Sequence, residues 1–125
     1  MAERTWVLGR IQSVAHAVAG IRMMLATQHN AWIHAAATLV VITLGALLGV
    51  SRAEWCWLIL ALMAVWTAEG VNTAFELLAD VVSPEFHPLV KQAKDVAAGA
   101  VLISAVGSAA IGVVVFAPRL AALFG

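Results

Sequence analysis

Residues 69–80 read EGVNTAFELLAD and place four polar side chains in a stretch that otherwise has the composition of a transmembrane helix. At 100° per residue the four fall within a fan of about 80°, so a helix presents them as one polar stripe. An ionised carboxylate near the centre of a bilayer costs about 2.5–3.5 kcal/mol on insertion scales, so a function is the default hypothesis for the stripe. Its members are Glu69, Asn72, Glu76 and Asp80.

The composition of the whole chain indicates an integral membrane protein. Of 125 residues, 63% are hydrophobic and 11% are charged, and the mean hydropathy is +0.97. These values lie outside the range of a soluble domain of this length. Seven basic and seven acidic residues cancel, so the sequence offers no basic surface for nucleic acid.

The hydrophobic pattern predicts an all-α fold in a single domain over residues 1–125, with one surface helix and three spans. In residues 4–27, apolar residues recur at spacings of four and three, which predicts an amphipathic helix lying on the membrane. We expect this helix to be retained rather than cleaved as a signal peptide, because it lacks an uninterrupted apolar region. The spans are predicted at residues 31–50, 55–82 and 96–116.

The distribution of basic residues predicts the orientation in the membrane. The first two spans are joined by residues 51–54, which leave room only for a tight antiparallel connection. Five basic residues then fall on one side and two on the other, and this bias favours a cytoplasmic amino terminus. The first group is Arg4, Arg10, Arg22, Lys91 and Lys94, and the second is Arg52 and Arg119. The polar stripe is therefore expected at the cytoplasmic interface, where ATP is available.

A cluster of carboxylates, an amide and a lysine at the level of the lipid headgroups suits phosphoryl transfer. That reaction needs Mg²⁺ on the phosphates, a carboxylate to hold the metal, a cation against the phosphate charge and a base near the attacking hydroxyl. Glu69 is the deepest carboxylate and is best placed to act as a base on a membrane-dissolved alcohol. Glu76 and Asp80 lie nearer the water and suit a metal-bound nucleotide.

Other interpretations of the same residues remain open at this level. The stripe could serve packing alone, with Glu76 paired to Lys94 and Asn72 satisfied by backbone. A proton or cation pathway also uses carboxylates in a membrane, but it gives no reason for the charges at Lys94 and Asp95. Neither common nucleotide-binding glycine motif occurs in the sequence.

The segment EGVNTAFELLAD, followed by HPLVKQAKDVAAGAVL at residues 87–102, resembles the prokaryotic diacylglycerol kinase family of small membrane lipid kinases. The resemblance covers essentially the whole chain. It implies a homotrimer in the bacterial inner membrane with active sites shared between subunits. It also implies ATP and Mg²⁺ as cosubstrate and cofactor, and phosphorylation of a lipid alcohol.

The resemblance also implies roles for individual residues. Glu69 matches the catalytic base, Asn72 a polar group of the phosphate-transfer site, and Glu76 the metal-binding carboxylate. Arg10 resembles a family position, and His16 stands where a tyrosine is usual. The residues assigned to the nucleotide are Arg10, His16, Glu76, Asp80, Glu85, His87, Lys94 and Asp95.

The main departure from the family pattern is Gln28, which stands where a metal-binding glutamate is common. An amide oxygen can still coordinate Mg²⁺, but it lacks the negative charge that makes a carboxylate a good hard ligand. Gln28 is therefore predicted to be a weak or water-mediated ligand.

The lipid substrate is predicted from the residues around the first span. Asn30, Ile33 and His34 resemble the E-R-N-x-x-I-H pattern of the family's undecaprenol kinase branch, whereas Gln28, His29 and Trp32 depart from the branch. The sequence therefore favours undecaprenol as the substrate, with diacylglycerol as the alternative. The non-enzymatic alternative is a carboxylate-lined membrane channel or assembly subunit. His34 itself is interpreted as an interface residue rather than a catalyst.

Overall fold

The computed structural model describes the backbone of residues 2–125 and the side chains of residues 6–125, so the Arg4 side chain used in the orientation prediction lies outside the described set. The described chain consists of four α-helices, three of which are long and apolar enough to cross a membrane. The predicted all-α class with three candidate spans is therefore confirmed. The helices are α1 (Ala2–Thr27), α2 (His29–Leu48), α3 (Arg52–Val82) and α4 (Pro88–Phe124).

Local capping determines where α2 ends and α3 begins. Gly49 has φ 59° and ψ 48°, a left-handed conformation that glycine adopts without steric cost, and its N–H donates to the Gly45 carbonyl. The Ser51 hydroxyl accepts a hydrogen bond from Glu54 N at 3.2 Å, and the Glu54 carboxylate accepts one from Ser51 N at 2.6 Å. This capping box starts α3 at Arg52. Helix α3 therefore begins three residues before the predicted span of residues 55–82.

Helix α4 extends well beyond the predicted span of residues 96–116. His87 caps its amino terminus by accepting a hydrogen bond from Leu89 N at 3.2 Å on Nδ1, and Pro88 occupies the first turn, where its missing N–H costs nothing. Pro118 lies inside the helix without ending it. Membrane helices tolerate such prolines where neighbouring groups satisfy the freed backbone.

Helix α1 is separated from α2 by a single residue, Gln28, whose backbone is extended at φ −103° and ψ 117°. The helix predicted over residues 4–27 is present, and apolar side chains such as Val7, Ile11 and Val14 are exposed along it. Its location on a membrane surface stays a prediction.

Helices α2, α3 and α4 pack side by side, and each runs antiparallel to the next. The Ser108 hydroxyl of α4 donates to the Ala61 carbonyl of α3 at 2.8 Å, which marks a close approach of the two helices. At the end of the bundle that contains the α2–α3 turn, a small core joins all three helices. Its buried members are Val50, Leu58, Val115 and Phe116.

Arg119 fastens this end of the bundle. Its Nη1 donates to the Leu48 and Gly49 carbonyls, both at 3.1 Å, and its Nη2 forms an ion pair with Glu54. The carbonyls at the end of a helix lack partners within the helix, so one guanidinium satisfies two of them while neutralising the capping carboxylate. The opposite end of the bundle, where the polar residues lie, has no comparable clamp among the described residues.

Gly45 allows the ring of Trp55 to lie directly against α2. A Cβ atom placed on Gly45 would lie 2.6 Å from the Trp55 ring, whereas one on Gly107 would meet no atom within 4 Å. We expect Gly45→Ala to lower the free energy of unfolding by about 1–3 kcal/mol, because the ring must be displaced from the core. Thermal unfolding in detergent, with Gly107→Ala as the matched control, measures this. Equal unfolding temperatures for the two variants would contradict it.

Candidate active site

The buried face of α3 carries the polar residues. Helical spacing of three and four places Leu58, Ala61 and Val65 on one face toward the first end of the helix, and the same face continues into polar residues. The apolar positions form the interhelical core. The polar positions therefore face the other helices rather than lipid, and those that are buried are Glu69, Asn72 and Thr73.

The three spans enclose a polar cleft of about 260 Å³ around these residues. Helix α3 contributes the acidic and amide groups, α2 contributes Asn30 and His34, and α4 contributes only aliphatic side chains. We call this space the polar cleft, and it is lined by Asn30, Ile33, His34, Glu69, Asn72, Glu76, Ala98, Val101, Leu102 and Ala105.

An apolar groove of about 380 Å³ adjoins the polar cleft. The two spaces share Ile33, His34 and Ala105, and the groove continues along α4 to Gly112 and Phe116. A molecule with a polar head and an apolar chain could therefore occupy both spaces at once.

Glu69 is the most deeply placed carboxylate, with 1% of its surface exposed. It lies about 22 Å along α3 from Glu54, at 1.5 Å per residue, and thus within a hydrocarbon core of about 30 Å. Its Oε2 is 3.5 Å from Nε2 of His34 and has no hydrogen-bond partner among the described residues. A buried carboxylate oxygen without a partner is costly and is characteristic of functional sites.

His34 is held in place by a short network between α2 and α3. Its ring packs edge-on against Trp66 with centroids 6.2 Å apart. Trp66 Nε1 donates to the Thr38 hydroxyl at 2.9 Å, and this hydroxyl donates to the His34 carbonyl at 2.7 Å. The network fixes the helix turn that carries His34 opposite Glu69.

Asn72 and Glu76 form the second part of the polar cleft. Asn72 Nδ2 donates to Glu76 Oε1 at 3.3 Å, while the buried Asn72 Oδ1 and Thr73 Oγ1 have no hydrogen-bond partner in the part of the chain that the structure describes. Amide and carboxylate oxygens are hard donors of the kind that Mg²⁺ prefers. No group of three or more His, Cys, Asp or Glu side chains arranged for a metal occurs among the described residues. Any metal here would therefore also use amide, phosphate or water oxygens.

A second cleft, of about 330 Å³, lies beside the loop between α3 and α4. Lys94 Nζ is 2.9 Å from Asp80 Oδ1, and Lys91 Nζ is 2.5 Å from Asp95 Oδ2. We call it the loop cleft, and its charged and polar lining consists of Asp80, Ser83, Glu85, His87, Lys91, Lys94 and Asp95. Acidic and basic side chains line this cleft together, and most of them are exposed to water.

The predicted site residues thus fall into two groups. The polar cleft contains Glu69, Asn72 and Glu76, and the loop cleft contains the other predicted residues of α3, the loop and α4. The polar stripe is divided because Asp80, although it has nearly the same angular position as Glu69, lies about 16 Å further along the helix axis.

Three predicted residues line neither cleft within the described part of the chain. Arg10 lies over the ring of Trp6 at 5.1 Å on exposed α1, and His16 is exposed on the same helix. Gln28 Nε2 donates to Thr27 Oγ1 at 3.3 Å. The structure does not bring these three to the other site residues, and their roles stay predictions.

The pairing expected from a packing role alone is wrong in its details. Lys94 bonds Asp80 rather than Glu76, because the two lie on facing turns of α3 and α4. Asn72 uses its amide on Glu76 rather than on backbone, because the two are four residues apart on one helix face.

Sequence reasoning missed the position of His34 opposite Glu69 and the burial of Thr73. His34 is the only ionisable residue in the predicted first span, and this was the signal that could have paired it with the buried acid of the next helix. Thr73 lies four residues after Glu69 and therefore on the same face.

Comparison with known proteins agrees with these features. Residues 15–116 match the family described as "Prokaryotic diacylglycerol kinase". The chain is 40% identical over 109 residues to a protein of Bacillus subtilis named "Undecaprenol kinase", covering 87% of this chain and 89% of that protein. It is 38% identical over 112 residues to a "Diacylglycerol kinase" of Synechocystis, covering 89% of this chain and 64% of that protein. With the matched residues including both clefts, the chain belongs to the prokaryotic diacylglycerol kinase family.

Proposed function

We propose that this protein transfers the γ-phosphoryl group of ATP to the hydroxyl of a membrane lipid alcohol, with undecaprenol as the first choice and diacylglycerol as the alternative. The observation that carries this proposal is the buried Glu69 carboxylate, which faces a polar cleft that opens into an apolar groove. A soluble acceptor would not need an apolar groove beside the polar cleft. A lipid alcohol would place its hydroxyl in the polar cleft and its apolar chain in the groove.

The chemistry assigns separate tasks to the two clefts. Glu69 accepts the proton of the lipid hydroxyl while the hydroxyl oxygen attacks the γ-phosphorus of ATP. The bond between the γ-phosphorus and the bridging β-phosphate oxygen breaks, and ADP leaves. In the loop cleft, Lys94 offers a cation to the phosphates, and Asp95, Glu85 and His87 surround the nucleotide. Asp80 holds Lys94 in position through the ion pair.

The oxygen donors of the polar cleft fit Mg²⁺. The partnerless Asn72 Oδ1 and the adjacent Glu76 carboxylate would hold the ion, which when bound would neutralise charge on the transferring phosphoryl group. A cation also offsets the cost of placing Glu69 and Glu76 in one cleft of low dielectric.

The predicted domain, membrane location, orientation and oligomeric state belong to the same proposal. Residues 1–125 act as one domain in the bacterial inner membrane, with the amino terminus and both clefts facing the cytoplasm and α1 on the membrane surface. A homotrimer is part of the proposal, and the exposed apolar side chains of α2 and α4 provide surface for lipid and for further copies of the chain.

Transfer of labelled phosphate from ATP to undecaprenol and to diacylglycerol, measured in parallel in mixed micelles with Mg²⁺, tests the function. We expect preferential labelling of undecaprenol and no labelling by Glu69→Gln. Preferential labelling of diacylglycerol would support the alternative substrate. The absence of labelling of either lipid would reject the kinase and favour a channel or assembly subunit, which has no reason to use ATP.

Gln28→Glu tests the proposed weak metal ligand. A carboxylate binds Mg²⁺ more tightly than an amide, so we expect the Mg²⁺ concentration that gives the half-maximal rate to fall several-fold. A magnesium titration at saturating ATP measures this, with His29→Gln as the control for a change beside the site. Superimposable titrations of Gln28→Glu and the unaltered protein would remove Gln28 from the metal site.

A further inference from the structure

We propose that His34 is a positioning residue for Glu69, holding the carboxylate through its Oε2 so that the other oxygen faces the lipid hydroxyl. The inference rests on the proposed function and adds a residue of the first span to the reaction. The sequence alone indicates an interface role for His34, and this inference replaces it with a role in positioning the Glu69 carboxylate.

His34 lies beside Glu69 in the polar cleft. Among the described residues, Glu69 Oε2 is buried without a hydrogen-bond partner, and the potentially cationic His34 Nε2 lies 3.5 Å from it. A small rotation of either side chain brings this pair to hydrogen-bond distance, and catalytic hydrogen bonds are often long until substrate is bound. Such a bond stabilises the ionised carboxylate and leaves one oxygen free to take a proton.

The polar cleft has more acidic groups than groups that can be basic. Among the described residues that line it, His34 is the only side chain that can carry a positive charge, whereas Glu69 and Glu76 are acidic and α4 supplies only aliphatic groups. Lys94, the nearest lysine in sequence to the cleft's α4 wall, is already paired with Asp80 in the loop cleft. Within one copy of the chain, α2 is thus the described helix that brings such a group to Glu69.

His34 is held by neighbouring side chains and lies where the polar cleft meets the apolar groove. The contact with Trp66 and the bonds through Thr38 restrain the turn that carries His34. His34 also lines both the polar cleft and the apolar groove, at the point where the hydroxyl of a lipid alcohol would enter. This is the arrangement of a base oriented by a third group, which recurs in sites that activate hydroxyls.

The test uses the full chain in mixed micelles with the lipid that the unaltered protein phosphorylates. His34→Phe keeps a ring against Trp66 but removes the donor, and we expect kcat to fall about 10- to 100-fold with little change in the KM for ATP. His34→Gln places an amide N–H near the former Nε2 and should restore most of the loss. His29→Phe changes an exposed histidine of the same helix and should keep the rate of the unaltered protein.

The combination with Glu69→Asp separates positioning from a merely structural role. Shortening residue 69 withdraws the carboxylate from His34, so His34→Phe should cost at least threefold less in that background than in the unaltered chain, since residues acting as a unit are not additive. Equal losses in both backgrounds, an unaffected kcat in His34→Phe, or no restoration by His34→Gln would each overturn the inference. An unaltered protein that labels neither lipid would reject the proposed function itself, and the inference with it.

Discussion

Glu69→Gln is expected to lower the rate of lipid phosphorylation by about 10²- to 10⁴-fold, the range that a positioned general base contributes. The amide has the shape of the carboxylate and still fits the buried position, but it cannot accept the proton of the hydroxyl. Because glutamine can occupy the same buried position and does not ionise, we expect the unfolding temperature in detergent to stay the same or rise. The measurement is the initial rate of label transfer from ATP to lipid.

The control for the loss of activity in Glu69→Gln is a measurement of ATP binding. Glu69 lies in the polar cleft and not among the residues of the loop cleft, so the affinity for ATP should change little in Glu69→Gln. A variant that binds ATP normally and transfers phosphate within threefold of the unaltered rate would show that Glu69 is not the base. The cost of its burial would then have to be offset by packing alone.

Lys94→Met is expected to raise the KM for ATP and lower kcat, with a combined loss in kcat/KM of about 10²-fold or more. The cation contacts the phosphates of bound ATP, and it stabilises the charge on the transferring group further in the transition state. Methionine keeps most of the length of the side chain and removes the charge. Steady-state kinetics with ATP as the varied substrate measure both constants.

Asp80→Asn tests whether Lys94 acts on the phosphates of ATP or only through its ion pair with Asp80. Lys94 bonds Asp80 at 2.9 Å across α3 and α4, but more than half of the Asp80 side chain is exposed, so the pair itself contributes little to stability. Asp80→Asn should therefore cost much less than Lys94→Met. If the two variants lose the same activity, Lys94 acts through the ion pair and not on the nucleotide. Lys91→Met, which removes a cation paired to Asp95 on the same helix, should also cost less.

The helices were predictable because their signals are local. A membrane demands about twenty apolar residues per span and hydrogen bonds within each segment, so hydrophobic length alone identified α2, α3 and α4. The boundaries were less accurate, since charged residues near the membrane surface do not end a helix. The third span was predicted to start at residue 96, yet the His87 cap and Pro88 start α4 eight residues earlier.

The candidate site was predictable in part. Angular spacing on one helix placed Glu69, Asn72 and Glu76 together, and the structure has all three in the polar cleft. The same spacing carried no information on which residues of other helices face them. The proximity of His34 to Glu69 and of Lys94 to Asp80 depends on the register between neighbouring helices. Small interhelical contacts, such as Gly45 against Trp55 and Ser108 on Ala61, accompany that register.

The sequence by itself determined that this is a helical membrane protein with a line of acidic and amide groups on one helix. These properties follow from composition and from the period of the helix, which every segment carries within its own residues. Only the tertiary structure decided that the polar stripe is divided between two clefts and that a buried oxygen of Glu69 faces His34. It also decided that Arg119 pairs with Glu54 at the opposite end of the bundle. Each of these depends on side chains distant in the sequence that meet only when the helices pack.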